Sequence, residues 1–127
     1  MTIAVDIAVA IVALLHGAFL VLEMFLWNKP FGRRVFGLSP ELADQTAPLA
    51  ANQGLYNGFL AAGLVWSLLA NPFDHYLKIF FLSCVIIAGV VGAMTVKRAI
   101  FWIQAMPAIV ALVLVYMAGL QLPPSFY

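Results

Sequence analysis

Charge is what this chain has least of. Asp, Glu, Lys and Arg make up 9% of its 127 residues, where a soluble domain carries roughly a quarter. With 65% of the residues hydrophobic, the surface cannot be covered by ionised groups, and the expected surroundings are a lipid bilayer. A net charge of +1 leaves no basic face, so nucleic acid is excluded as a partner. A single cysteine, Cys84, excludes an intrachain disulfide; set in an apolar run, it reads as a small buried hydrophobe. No basic stretch precedes the first apolar run, Asp6 lies within it, and it exceeds the roughly 7–15 apolar residues of a cleaved signal. No phosphate loop, haem motif or nucleotide motif is present, so no cofactor is expected. Metal binding is not expected either, because His16 and Glu23 stand two turns apart rather than as a close ligand pair. No Ser or Cys is placed beside His16 by spacing, which excludes a nucleophilic triad.

Long apolar runs are what the chain does have. A bilayer crossing needs about 20 apolar residues at 1.5 Å each. The runs at about 3–27, 48–70, 76–96 and 99–120 meet that length. The expectation is one transmembrane domain over 1–127, all-α, an integral membrane four-helix bundle. Asn71-Pro72-Phe73-Asp74-His75 reads as the turn between the second and third spans. Lys97-Arg98 must be the turn between the third and fourth, since one helix from Tyr76 to Leu120 would be over twice the bilayer thickness. The Leu122–Tyr127 tail, with Pro123 and Pro124, is expected to leave the helix and end at the interface.

The connection from 28 to 47 is the long one. Lys29, Arg33 and Arg34 interleaved with Phe31, Val35 and Phe36 suit a headgroup region. Ser39-Pro40-Glu41 reads as a helix start, with Ser39 as N-cap and Pro40 in the first turn. The pattern predicts a short interfacial helix over about 40–46, with Pro48 opening the second span. Lys29, Arg33, Arg34, Lys97 and Arg98 all fall on one side of the spans, and Lys78, which can snorkel, falls on the other. The positive-inside rule then puts both connections in the cytoplasm and both termini outside.

Polar residues inside the spans are costly in hydrocarbon and mark a site or a hydrogen-bonding network. On the first span His16 and Glu23 sit at i and i+7, about 20° apart around the helix and roughly 10 Å apart along it; Leu20 and Trp27 complete the face. On the second span Asn52, Gln53, Tyr56 and Asn57 cover an arc of roughly 140°, and Ser67 and Asn71 continue it outward. Gly54, Gly58 and Ala62 form a ridge of small residues beside that arc, suited to packing within the bundle. On the fourth span Gln104 is followed by Pro107, which frees the carbonyl of Ile103, and Trp102 stands at the cytoplasmic end. Counting inward from the basic turns, Glu23, Asn52, Gln53 and Gln104 share one depth, with His16 and Asn57 just beneath. Glu23 is the expected proton donor and His16 the expected acceptor or relay. The carboxamides, with Tyr56, Trp27 and Trp102, are the expected ligand-binding groups.

His16…Glu23-Met-x-x-Trp27, Asn52-Gln-Gly-Leu-Tyr-Asn-Gly-Phe-Leu-Ala-Ala62 with its Asn-Gln-Gly-x-Tyr-Asn-Gly block, and Gln104-x-x-Pro107-Ala108 resemble a family of small bacterial four-span membrane proteins catalogued as domain of unknown function 1304. The resemblance covers nearly the whole chain. It implies an all-helical inner-membrane protein, and some members carry an epoxidase label. The family's characteristic positions correspond here to His16, Glu23, Trp27, Asn52, Gln53, Tyr56, Asn57, Gln104 and Pro107.

Three readings stay open at this point. The first is a protein that binds or transforms a small lipophilic molecule from the membrane lipid by acid–base chemistry of the isomerase or epoxide type. The second is a proton-coupled exporter acting as a homodimer, similar in plan to the small multidrug-resistance transporters but without their motifs. The third is a structural membrane subunit without a site of its own.

Overall fold

The computed structural model describes residues 2–120. Among them the regular structure is entirely helical: α1 (Thr2–Met24), α2 (Pro30–Phe36), α3 (Pro40–Leu69), α4 (Asp74–Thr95), and a π-helical turn, Phe101–Ala105, that leads into α5 (Met106–Gly119). The expectation for the Leu122–Tyr127 tail lies outside the described residues. Three helical stretches, Ile3–Met24, Asp74–Thr95 and Phe101–Gly119, are long and apolar enough to cross a membrane. The chain therefore fits a membrane-embedded all-α protein. At 30 residues α3 is the longest helix, about 45 Å at 1.5 Å per residue. It is not among those three, because Glu41, Asp44, Asn52, Gln53 and Asn57 dilute its apolar face.

Two helix boundaries differ from expectation, one beside a proline that ends a helix and one at a proline that does not. α1 ends at Met24 rather than at Trp27. Lys29 must be extended (φ −83°, ψ 158°) because it precedes Pro30, so the chain unwinds through Phe25–Lys29 and the short helix forms at Pro30–Phe36. That helix starts with Pro30 in its first turn and ends at Gly37, whose φ of 67° is the left-handed cap position. The expected separate helix over 40–46 is instead the first part of α3. Its start is as expected: the Leu42 N–H donates to Ser39 Oγ at 3.2 Å. Pro48 does not interrupt the helix. Pro48 and Asp44, whose carbonyl loses its i+4 donor, are both exposed, so the lost bond costs less there than it would in an interior.

The described chain divides into two compact units. The unit formed by 1–13 and 62–127 is cored by Val5, Val9, Leu64, Leu82, Val85, Ala108, Ala111 and Val115. In it α4 packs against the π-helical turn and α5. The contact is close at Gly89, where a Cβ would stand 2.8 Å from the Ala105 backbone nitrogen. Buried Ser67 gives its hydroxyl to the Leu64 carbonyl at 2.6 Å, and half-buried Ser83 gives its own to Ile79 at 2.7 Å. Both hydroxyls are thus satisfied within their own helix, and Ser67 is not drawn toward other polar side chains. Cys84 is a half-buried free thiol.

The unit from 14 to 61 comprises the second half of α1, the Phe25–Lys29 turn, α2 and the first two-thirds of α3. Gly54 sets the spacing of its two long segments. A Cβ there would meet Met24 Cγ at 2.7 Å and Glu23 Cβ at 3.0 Å, so any larger residue would push α3 away from the end of α1. One turn further on, Gly58 is apposed to Leu20. The small-residue ridge is therefore used for packing inside the chain.

Candidate functional site

Glycine at 54 and 58 brings α3 against α1, and the carboxylate of Glu23 is the group that approach delivers to Asn57. Asn57 Nδ2 donates to Glu23 Oε2 at 2.7 Å, within the usual range for a charge-assisted bond. Asn57 is 3% exposed and Glu23 is half-buried. The carboxamide is therefore sequestered, while Glu23 as a residue is only partly so. Glu23 makes no ion pair among the described residues, since the ion pairs found there all belong to Lys78. A neutral donor satisfies part of its hydrogen-bonding capacity and leaves lone pairs for another partner.

His16 lies two turns back on α1, 1% exposed, with its ring edge-on to Phe19 at 6.1 Å. It is a core histidine of the same helix rather than a direct partner of Glu23. Trp27 is in the turn after α1. Its indole N–H donates to Thr46 Oγ1 at 2.9 Å, and its ring stacks at a tilt on Phe36, 4.6 Å away. Asn28 Nδ2 donates to Asp44 Oδ1 at 3.2 Å beside it. Together these bonds tie the turn that follows Glu23 to the first turns of α3, so Trp27 holds the end of α1 in place.

Asn52, Gln53 and Tyr56 do not join the Glu23–Asn57 hydrogen bond. All three are exposed on α3, Tyr56 by 53%, and none makes a side-chain hydrogen bond among the described residues; Tyr56 has an edge contact with Phe59 at 6.3 Å. The depth count set Glu23 level with Asn52 and Gln53, and a Cβ on the neighbouring Gly54 would meet Glu23 Cβ at 3.0 Å; the carboxyl reaches on to Asn57, one turn further along. The reason is the apposition of Gly54 with Met24 and of Gly58 with Leu20, which puts Asn57 within reach of the Glu23 carboxyl. Gln104 and Trp102 belong to the other unit. Gln104 is half-buried in the π-helical turn, and Trp102 is 66% exposed. The π turn is the structural consequence of Pro107. With no N–H at that position and its ring against the Ile103 carbonyl, the preceding turn widens, and the Met106 N–H reaches back to Phe101 O.

Sequence reasoning missed one charged constellation altogether. Lys78, expected to snorkel, is 7% exposed. Its Nζ lies 2.9 Å from Asp6 Oδ1 and 3.0 Å from Asp74 Oδ2. The Asp74/Lys78 half was available as an i, i+4 acid–base pair, but the Asp6 half joins residues far apart in sequence and carried no signal. No group of three or more potential metal ligands occurs among the described residues.

Against known proteins, no solved structure matches. The chain is 29% identical over 115 residues to the uncharacterized protein YpaA of Lactococcus lactis subsp. lactis (strain IL1403), an alignment covering 89% of this chain and 97% of that protein. The matched region of the family described as "Protein of unknown function (DUF1304)" runs over residues 10–116, so it takes in the Glu23–Asn57 pair, the glycines that bring it together and the π turn before Pro107. The chain belongs to that family.

Proposed function

We propose that this chain is a four-span protein of the bacterial inner membrane, with both termini outside, that binds or transforms a small lipophilic molecule at Glu23 and Asn57. In this reading α3 is the fourth crossing, and its length and its close glycine-mediated packing on α1 support that role. The observation that carries the functional reading is the 2.7 Å bond from Asn57 to Glu23. An ionisable side chain within a membrane helix is costly, and here it has one neutral partner, no ion pair among the described residues, and is only half-buried. Gln53, one turn before Asn57 on the same helix, is exposed and unpaired among the described residues, as is Asn52. Both are available to orient an oxygen function of the ligand. Glu23 supplies the proton-transferring group, and the chemistry that suits it is acid–base chemistry of the isomerase or epoxide type.

The test is direct. The protein purified in mild detergent is extracted with organic solvent and the extract examined by mass spectrometry. A lipophile present at near-stoichiometric amount in the wild type and lost in Glu23→Gln and Asn57→Ala is the expected result. A wild-type extract with no lipophile beyond bulk lipid, or a lipophile retained equally by both variants, would overturn the reading. Reporter fusions at each terminus test the topology separately, with outside-active reporters expected at both ends.

A further inference from the structure

A groove of about 560 Å³ lies in the unit containing α4 and α5, lined by Val90, Ala93, Met94, Arg98, Phe101 and Trp102. Its walls are two short ridges at i, i+3, i+4 spacing. Residues 90, 93 and 94 come from the last turns of α4. Residues 98, 101 and 102 come from the turn and the π-helical start of the following helix. The two arms are held together beside the groove, where Gly89 meets Ala105 and a Cβ on Gly92 would meet Ile100 Cγ2 at 2.9 Å. The large side chains next to those glycines stand outward. Met94 is 82% exposed and Trp102 66%. The groove is thus an open apolar depression with Arg98 as its one charged lining residue.

Arg98 has no counter-charge. Lys97 and Arg98 are exposed, and neither makes a side-chain hydrogen bond or ion pair among the described residues. No acidic residue occurs anywhere after Asp74. The two acids of this unit, Asp6 and Asp74, are both engaged by Lys78. Lys78 is near the start of α4, and Arg98 follows its end, roughly 30 Å away along the helix at 1.5 Å per residue. An arginine fork in the lining of an apolar groove, with an exposed lysine next to it in sequence, matches a phosphodiester with a hydrocarbon chain attached. A helical hairpin apolar enough to cross a bilayer, turning at this basic pair, sets Arg98 at headgroup depth.

We infer that this groove is a binding site for one anionic phospholipid, whose phosphate is held by Arg98 and Lys97 and whose acyl chain lies along Val90, Met94 and Trp102. The inference makes no use of Glu23 or Asn57 and is independent of the function proposed for them. Trp102, expected from sequence as a closing group for the polar site, is here the side wall of a lipid groove.

Trp102 also provides the measurement. The full chain is reconstituted in phosphatidylcholine vesicles containing a small fraction of phosphatidylglycerol with brominated acyl chains, or the same fraction of brominated phosphatidylcholine. The Trp102 contribution is the difference in fluorescence between wild type and Trp102→Phe. The Trp66 contribution, obtained in the same way, reports general lipid exposure. The expected result is about fivefold more effective quenching of Trp102 by the anionic lipid, and loss of that preference in Arg98→Gln. Trp66 should show no such preference. Equal quenching of Trp102 by both lipids would overturn the inference, as would a preference that survives Arg98→Gln or is shared by Trp66. A preference abolished by dissolved inorganic phosphate would also overturn it, because the site would then take a free anion rather than a lipid. All three substituted side chains, at positions 66, 98 and 102, are exposed, so the variants should fold.

Discussion

Glu23 and Lys78 are both ionisable residues within apolar helices, and the chain treats them in opposite ways. Lys78 is almost fully enclosed and has two carboxylates at hydrogen-bond distance. Its charge is compensated by charge, and each of those partners is about half exposed, which keeps them hydrated. Glu23 is only half-buried and has one neutral carboxamide, itself buried. The first arrangement completes an ionic contact between α1 and α4. The second leaves a carboxyl group only partly satisfied in an apolar setting, which is the condition a proton-transferring group needs. On the function proposed above, compensation rather than depth of burial is what separates the two charges.

Removing Lys78 should cost most. Lys78→Met leaves Asp6 and Asp74 facing each other without the cation. Stripping one partner from a fully buried pair costs about 3–5 kcal/mol, but the two aspartates are half exposed, so the expected loss is about 2 kcal/mol. Unfolding of the purified protein in mixed detergent–dodecyl sulfate micelles measures it. Lys78→Arg should recover most of the loss. A Lys78→Met variant as stable as the wild type would end the distinction drawn above, because Lys78 would then be no more structural than Glu23.

Asn57→Leu comes next, at about 1–2 kcal/mol by the same measurement. Bonds to charged groups contribute about 1.5–3 kcal/mol when buried, and Glu23, being only half-buried, can regain some solvation. Asp74→Asn is smaller, about 0.5 kcal/mol, the scale of a single i, i+4 pair, because Asp6 still holds Lys78. If Asp74→Asn were as damaging as Lys78→Met, the two carboxylates would have to act as one unit rather than as independent partners.

Much of this was legible in the sequence, for identifiable reasons. Helix existence followed from apolar runs of spanning length, and the start of α3 followed from Ser39-Pro40-Glu41, whose cap is present. The use of Gly54 and Gly58 inside the chain was readable because close helix approach requires small residues at that spacing. What helical periodicity did not give was the partner of Glu23, which is fixed by which residues oppose Gly54 and Gly58. That is a packing relation between segments about 30 residues apart, with no local signature. Asn52, Gln53 and Tyr56 lie on the same arc as Asn57 but face outward, a distinction of tens of degrees that helical periodicity alone does not resolve. Asp6 and Lys78 failed for the same reason: each is ordinary locally, and only the fold brings them together.

The smallest expected change in stability gives the sharpest test. Glu23→Gln keeps the size and an acceptor oxygen for Asn57 Nδ2, and it removes the cost of holding an ionisable group in an apolar setting. The loss of charge assistance and the relief of that cost act in opposite directions, so unfolding should hardly change, and a small gain is as acceptable as a small loss. Glu23→Ala differs, because it leaves buried Asn57 without its acceptor and should destabilise the protein in the manner of Asn57→Leu. If the carboxyl were there for structure, Glu23→Gln would cost stability and leave ligand retention in step with folding. The expected pattern separates the two: Glu23→Gln folds like the wild type and loses the bound lipophile, while Lys78→Arg retains both. A chain that tolerates Glu23→Gln in every readout would make Glu23 and Lys78 alike after all, two charges placed only to hold helices together.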